Sequence, residues 1–330
     1  MVTNDGNINN LISELKRIQA DFYSTFNVTD IITNSKIFEI LIADSLGHTL
    51  IPGHSGSRDA KDNSGSEFEY KHYKESSSNH TWTFNDFSNT TINKLNDTKA
   101  VIFAHIQDAD RQFPEFDWYY EVPGSVISSY LAKATQKITN NRKMINVGPK
   151  KIEEQMGITK QIVKNSCSGS YSNWIKRIIA ITDKIEKKVG VTGILTSNKF
   201  WEVLVALKLE HHVQSEQAKH DAIDKMGNKY EYKVARGSNW SFQDISKDVL
   251  HKYLSDKSVI LAIVDKNSFE VKKIYEADAK KTVALLKERL REKNQRYSLA
   301  KKEVRRQQIS ISTKGLKDIH AKLVYPPTIN

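Results

Sequence analysis

"RDAKDNSGSEFEYK", residues 58–71, and "HDAIDKMGNKYEYK", residues 220–233, are two versions of one pattern. Each has an aspartate, then Asp-x-x-Gly, then a strand-like stretch ending in Glu-Tyr-Lys. Asp first and Gly fourth, as in "DNSG" and "DKMG", is the residue usage of a β-turn. Two antiparallel strands joined by that turn set Asp59 opposite Glu69 and Asp221 opposite Glu231. Alternation with period two then puts Lys71 beside Glu69, and Lys233 beside Glu231, on one face. Tyr70 and Tyr232 point the other way, into the packing. Asp62 and Asp224 are accounted for by the turn itself.

Outward from these stretches the similarity continues. "NLISELKRIQADFYSTFNVTDIITNSKIFE", from Asn10 to Glu39, lies without gaps on "NWIKRIIAITDKIEKKVGVTGILTSNKFWE", from Asn173 to Glu202. "HTWTFNDFS" matches "SNWSFQDIS", "LNDTKAVIFAHIQD" matches "LSDKSVILAIVDKN", and the tails "INVGPKKIEEQM" and "ISISTKGLKDIH" correspond loosely. An ordered series of this kind marks a tandem duplication. The repeats are placed at 1–158 and 171–330, with the polar stretch "TKQIVKNSCSGS", residues 159–170, as a linker. Two similar domains in one chain predict a covalently tied homodimer, a pseudodimer with an approximate two-fold axis.

Each half has the same coarse order. A helix starts near Ile8 or Asn173, and a second follows the capping-type residues Thr33-Asn34 or Thr196-Ser197. Next come the two short strands around Glu-Tyr-Lys, then an apolar β-branched strand, "AVIFAHI" or "SVILAIV", and a further helix with a mixed tail. Helices around a mostly buried central strand predict an α/β class, each half a mixed β-sheet flanked by helices.

The formal net charge of +11 points to an anionic partner. The excess is concentrated late: from residue 270 onward sixteen Lys plus Arg face seven Asp plus Glu, a surplus of nine. Much of it lies in "KKTVALLKERLREKNQRYSLAKKEVRR", a basic helical stretch. No apolar run approaches a bilayer span, so nucleic acid is favoured over membrane. The single cysteine, Cys167, allows no internal disulfide and has no metal-ligand spacing. With no secretory signal after Met1, a cytoplasmic protein is the expectation.

The helix "NKFWEVLVALKL" is apolar on nearly every side, yet Glu202 lies within it, where a lone ionised carboxylate is costly. Glu39 occupies "KIFEILIADSL" in the same way. Three carboxylates and a lysine are therefore expected to converge in each half: Glu39, Asp59, Glu69 and Lys71, and Glu202, Asp221, Glu231 and Lys233. A single Glu-x-Lys is most simply a cross-strand ion pair. The same four residues in the same order twice favour chemistry. Carboxylates without His or Cys suit a hard cation, Mg²⁺ before Zn²⁺. Such an ion draws in a phosphate oxygen, lowers the pKa of a bound water and stabilises charge developing on phosphorus. The lysine can hold that water in line.

At these residues the chain resembles the PD-(D/E)XK nuclease superfamily, and within it the type II restriction endonucleases. The resemblance rests on Asp59 with Glu69-Tyr70-Lys71 and on Asp221 with Glu231-Tyr232-Lys233. Glu39 and Glu202 match the upstream helical glutamate of many members. Arg58 and His220 depart from it, standing where the motif's name has proline. What the resemblance implies is two tandem restriction-endonuclease-like domains and Mg²⁺-dependent hydrolysis of DNA phosphodiesters, with Mn²⁺ as a substitute ion. It further implies double-stranded DNA as substrate, a monomer acting as a pseudodimer with one active site per strand, and a cognate DNA methyltransferase in the same system. A repair or junction-resolving nuclease would use the same metal chemistry. A reading from another class is a DNA-binding protein on this fold that no longer cuts.

After each lysine the halves differ more: "HYKESSSNHTWTF" against "VARGSNWSF". Asn79, His80, Arg236, Ser238 and Asn239 are the candidate DNA contacts, Arg236 as a guanine partner. Trp82 and Trp240, matched in these segments, fit the core equally well. His54, His211 and His212 have no ligand spacing and are expected on the DNA side or the surface.

Overall fold

The computed structural model describes residues 5–32, 35–52, 58–85, 88–109, 113–138, 144–215, 218–301 and 307–326. Both halves follow one element order. The first contains α1 (Asp5–Phe26), α2 (Lys36–Leu46), β1 (Thr49–Leu50), β2 (Ala60–Lys61), β3 (Glu67–Lys74) and β4 (Trp82–Phe84), then α3 (Asn89–Asn96) and β5 (Ala100–Gln107). It continues with β6 (Glu115–Pro123), α4 (Gly124–Gln136), β7 (Ile145–Val147), α5 (Pro149–Met156) and β8 (Gln161–Ile162). The second contains α6 (Ser172–Val189), α7 (Lys199–Leu209), β9 (His212–Val213), β10 (Ala222–Ile223), β11 (Lys229–Ala235) and β12 (Asn239–Phe242). After these come α8 (Lys247–Leu254), β13 (Ser258–Asp265), β14 (Glu270–Asp278), α9 (Ala279–Leu299), β15 (Ile309–Ser312), a short 3₁₀ turn (Thr313–Gly315) and β16 (Lys322–Tyr325).

The two six-stranded sheets have one topology: β1-β2-β3-β5-β6-β8 in the first, β9-β10-β11-β13-β14-β16 in the second. Each is mixed. β3 runs parallel to β5, and β11 to β13, while the other pairings are antiparallel. Each half adds a two-stranded ribbon, β4 with β7 or β12 with β15. The α/β class with mixed sheets flanked by helices, present twice in tandem, is the one expected from the repeat.

The chain divides into two compact units: residues 17–181, called here the N-terminal unit, and residues 1–16 with 182–330, the C-terminal unit. These are not the repeats at 1–158 and 171–330. The start of α1 belongs with the C-terminal unit, where Ile8 packs with Val191 and Val203. The start of α6 belongs with the N-terminal unit, where Phe26 meets the rings of Tyr171 and Trp174 at 4.6 and 5.1 Å. Nor is 159–170 a free linker. Gln161–Ile162 forms the edge strand β8, Val163 donates its N–H to Asp117, and the segment is tied to α2 through Asp44. Both Asp44 oxygens are used, accepting from Gly169 N (2.8 Å) and Tyr171 N (2.6 Å).

One block of the repeat shifts by a residue. Phe68 pairs with Ala100 as Tyr230 pairs with Ser258, so Ala100 corresponds to Ser258 and Leu95 to Tyr253. The match of "LND" with "LSD", which sets Leu95 on Leu254, is off by that one residue. Two indole anchors fix the true correspondence. Trp82 donates to Ala104 O (2.8 Å) and Trp240 to Ala262 O (2.9 Å), each fully buried. They lie in the cores.

β6 and β14, with the short helices α3 and α8, are elements the sequence reading did not separate. α3 and α8 are capped alike: Ser88 Oγ accepts from Thr91 N, and Ser246 Oγ from Val249 N. No helix among the described residues is long and apolar enough to cross a membrane.

Candidate functional site

The turns form as their residue types require. Asp62 Oδ1 accepts from Ser64 N and Ser66 N, and Asp224 Oδ1 from Met226 N and Asn228 N. Gly65 and Gly227 take φ of +83° and +82°, which a side chain disfavours. The hairpins that result pair Ala60 with Phe68 and Ala222 with Tyr230, which sets Asp59 opposite Glu69 and Asp221 opposite Glu231. In each half the aspartate is fixed by the backbone N–H of the tyrosine that follows the strand glutamate. Asp59 Oδ2 accepts from Tyr70 N at 2.7 Å, and Asp221 Oδ2 from Tyr232 N at 2.7 Å.

Tyr70 and Tyr232 do turn away, and each has a histidine partner, of which the sequence reading noted only His211. Tyr70 OH is 2.9 Å from His48 Nδ1, and Tyr232 OH is 2.8 Å from His211 Nδ1. Each histidine also stacks on the strand residue two before its tyrosine, His48 on Phe68 (4.4 Å) and His211 on Tyr230 (4.2 Å). His211 is therefore part of the strand's backing, and its burial lowers its pKa. His212 is exposed, and His54 lies outside the described residues.

On the opposite face the quartets assemble. Lys71 Nζ donates to Glu69 Oε1, and Lys233 Nζ to Glu231 Oε1 at 2.5 Å. The helical glutamates join from α2 and α7. Glu39 is close enough to Asp59 for the two charges to oppose each other, as is Glu202 to Asp221. Each has a buried lysine one turn before it: Lys36 donates to Glu39, and Lys199 to Glu202 at 2.5 Å. These lysines were missed, although Lys-x-x-Glu stands at the start of both helices.

Electrostatics make the clusters strained as pure carboxylate sites. Burial pushes Glu69 up to about 7, against the pull of Lys71 and with the charge of Asp59 adding to it. Glu202 is likewise pushed to about 7 by burial and then by Asp221. Glu39 and Asp221 are raised for the same reasons, burial first and a neighbouring carboxylate second. Burial alone would depress Lys71 and Lys233, but the adjoining carboxylates outweigh it and keep both raised and charged. Glu231 differs. Burial would raise it, yet Lys233 and Lys252 together hold it below the usual carboxylate range.

A divalent cation fits the residues present. The donors are all carboxylate oxygens, the set preferred by Mg²⁺ or Mn²⁺. Among the described residues the buried Glu69 Oε2 has no hydrogen-bonding partner, a costly state that a cation would relieve. As they stand, the four glutamates pair with lysines and the two aspartates accept from backbone N–H groups, and among the described residues no three His, Cys, Asp or Glu form a ready-made metal-binding group.

Arg58 and His220, at the proline position, take structural roles. Arg58 pairs with Glu67 at 2.5 Å, and the buried His220 Nδ1 lies 2.5 Å from Asp256 Oδ1. The candidate DNA contacts Asn79, His80, Arg236, Ser238 and Asn239 are all exposed. The first loop is built internally: Asn79 Oδ1 accepts from Thr81 Oγ1 at 2.7 Å, and His80 Nε2 lies 3.1 Å from Glu75 O. In the second, Asn239 begins β12, and Ser238 O accepts from Thr313 N. No protein-family model matches the chain, and a search of curated proteins returns no match.

Proposed function

We propose that this chain is a Mg²⁺-dependent endonuclease of the type II restriction class, hydrolysing double-stranded DNA with one active site for each strand. What carries the proposal is the quartet of Glu39, Asp59, Glu69 and Lys71, repeated from the same three elements as Glu202, Asp221, Glu231 and Lys233. Asp59 and Glu69, with Glu39 beside them, would hold the cation in one half, and Asp221, Glu231 and Glu202 in the other. The bound ion supplies Lewis-acid polarisation of the phosphate and a water of lowered pKa. Lys71 and Lys233 hold the attacking water in line and offset the charge that develops as it loses its proton. Tyr70 N and Tyr232 N keep the aspartates aimed at the cluster. His48 and His211 pin the strands from behind, so the carboxylates converge without the cost of ordering them during reaction.

The surplus of nine positive charges from residue 270 onward provides a sequence-independent attraction to phosphates. Specificity then falls to the divergent segments with Asn79 and His80, and with Arg236, Ser238 and Asn239. Unequal segments predict a short target that need not be a perfect palindrome.

The test is digestion of DNA of known sequence with Mg²⁺, followed by run-off sequencing of the ends. Discrete fragments with fixed cut positions support the reading. Nicking that follows DNA structure would replace it with a repair or junction-resolving nuclease. Binding without any cleavage of genomic DNA from varied sources would replace it with a DNA-binding protein.

A further inference from the structure

The duplication supplies an internal comparison, and the two sites differ at one oxygen. At the N-terminal site Glu69 Oε1 takes Lys71, while Oε2 is buried without a partner among the described residues. At the C-terminal site Glu231 Oε1 takes Lys233, and Oε2 lies 2.9 Å from Lys252 Nζ, an ion pair rather than an aligned hydrogen bond. Lys252 is in the last turn of α8. Counted from the capping serines, the corresponding residue of α3 is Lys94. The sequence therefore keeps a lysine at this place in both repeats. Lys94 is nevertheless exposed, with no ion pair among the described residues.

The surroundings explain why only one of them reaches the site. After α8, Asp256 pairs with His220, the residue immediately before Asp221, and this contact ties the end of α8 to the strand that carries the site. After α3 the corresponding residue is Thr98, whose hydroxyl bonds back to Lys94 O at 3.0 Å, and Arg58 pairs with Glu67 instead. Tyr253, standing where α3 has Leu95, sets its ring 5.5 Å from Lys233 Nζ, lining the lysine cluster.

We propose that Lys252 is a positioning residue of the C-terminal site that occupies the carboxylate oxygen left open at the N-terminal site, so that the two sites take up divalent cations unequally, the N-terminal one first. The inference rests on the carboxylate clusters being cation sites. A dication approaching Glu231 must displace Lys252 or accept Glu231 through fewer oxygens, whereas Glu69 offers Oε2 at no such cost. The lysine and the cation compete for the same charge.

The experiment is Mn²⁺ binding to the full chain without DNA, followed by electron paramagnetic resonance of the free ion. Wild type should show a tighter and a weaker class, the tighter lost in Asp59→Asn and the weaker in Asp221→Asn. Lys252→Met should strengthen the weaker class by about 10-fold or more, the scale of outer partners on metal affinity. Lys94→Met should change neither class, and Lys252→Arg, which keeps the charge, should keep the wild-type order. Thermal melting of each variant separates loss of folding from loss of competition. Lys252→Gln provides a second variant if the Met variant does not fold. Two equal classes in wild type, or a weak class unmoved by removal of Lys252, overturn the role of Lys252 alone. Absence of Mn²⁺ from both clusters overturns it together with the metal-site reading.

Discussion

Raising the pH from about 6 to about 8.5 should weaken the N-terminal unit, and His105→Ile should remove most of that dependence. His105, on β5, is buried and held at both nitrogens: Nδ1 lies 2.7 Å from Asp117 Oδ1 and Nε2 2.9 Å from Glu75 Oε2. Trp118 stacks on it at 4.7 Å. Burial acts to lower its pKa, but Asp117 and then Glu75 outweigh burial and raise it above 6.5. A raised folded-state pKa gives stability that is complete below the unfolded value and is lost as pH rises through the folded one. The physical reason is donor count. The imidazolium donates to both carboxylates, whereas neutral imidazole has one N–H and turns a lone pair toward the other carboxylate. One charge-assisted hydrogen bond is therefore lost, about 1.5–3 kcal/mol in a buried setting. Glu75 and Asp117 side chains are 41% and 34% exposed, so solvent screening trims the expectation to about 1–2 kcal/mol. Urea denaturation followed by tryptophan fluorescence at both pH values, in wild type and His105→Ile, isolates the term from other titrating groups. Isoleucine is what the second repeat has here, as Ile263, opposite Lys273 as His105 is opposite Trp118. An equal fall in both proteins, or a wild type more stable at high pH, would refute the reasoning.

Three further outcomes are expected. Asp44→Ala should cost about 3–5 kcal/mol in chemical denaturation, because two charge-assisted bonds to Gly169 N and Tyr171 N are lost together; a change below about 1 kcal/mol would contradict it. Gly124→Ala should destabilise by about 1–3 kcal/mol, since a Cβ there meets the carbonyl oxygens of Thr98 and Leu95; an unchanged midpoint would mean that α4 shifts freely. Lys71→Ala and Lys233→Ala should each leave an enzyme that nicks one strand, and the double variant should bind DNA in a gel-shift assay without cutting it. Double-strand cleavage by either single variant as a monomer would end the one-site-per-strand reading.

What was legible in the sequence was whatever a repeat or a local rule encodes. The Asp-x-x-Gly turns fix the hairpin register, and the register fixes which carboxylates face each other, so the pairing of Asp59 with Glu69 followed from residue types alone. What stayed hidden depended on partners distant in sequence. His211 looks like a surface histidine until the strand carrying Tyr232 is laid beside it, 21 residues on. The start of α1 reads as part of the first repeat, yet its apolar residues pack with Val191 and Val203. β6, by contrast, was legible: Phe116, Trp118, Tyr120 and Val122 alternate with Glu115, Asp117 and Glu121 as in a half-buried strand, and only the partner of Asp117, His105, lay beyond a local reading. Lys252 could be found only by comparing the two halves in three dimensions, since Lys94 occupies the same place in the sequence and does something else.

The same comparison separates stability from function. Around the quartets the halves have drifted: Phe68 against Tyr230, Leu95 against Tyr253, His105 against Ile263. Buried carboxylates do not help a fold; removing such charges from water costs several kcal/mol per ion, and lysine pairing at best offsets it. A hydrophobic isostere at Glu69 or Glu231 would satisfy the core equally well. Both halves instead keep all three carboxylates and the lysine, along with the additional lysines Lys36 and Lys199 that neutralise the helical glutamates. A set of residues that costs stability and is held twice, amid neighbours that have been replaced, is better explained by what it binds than by what it supports.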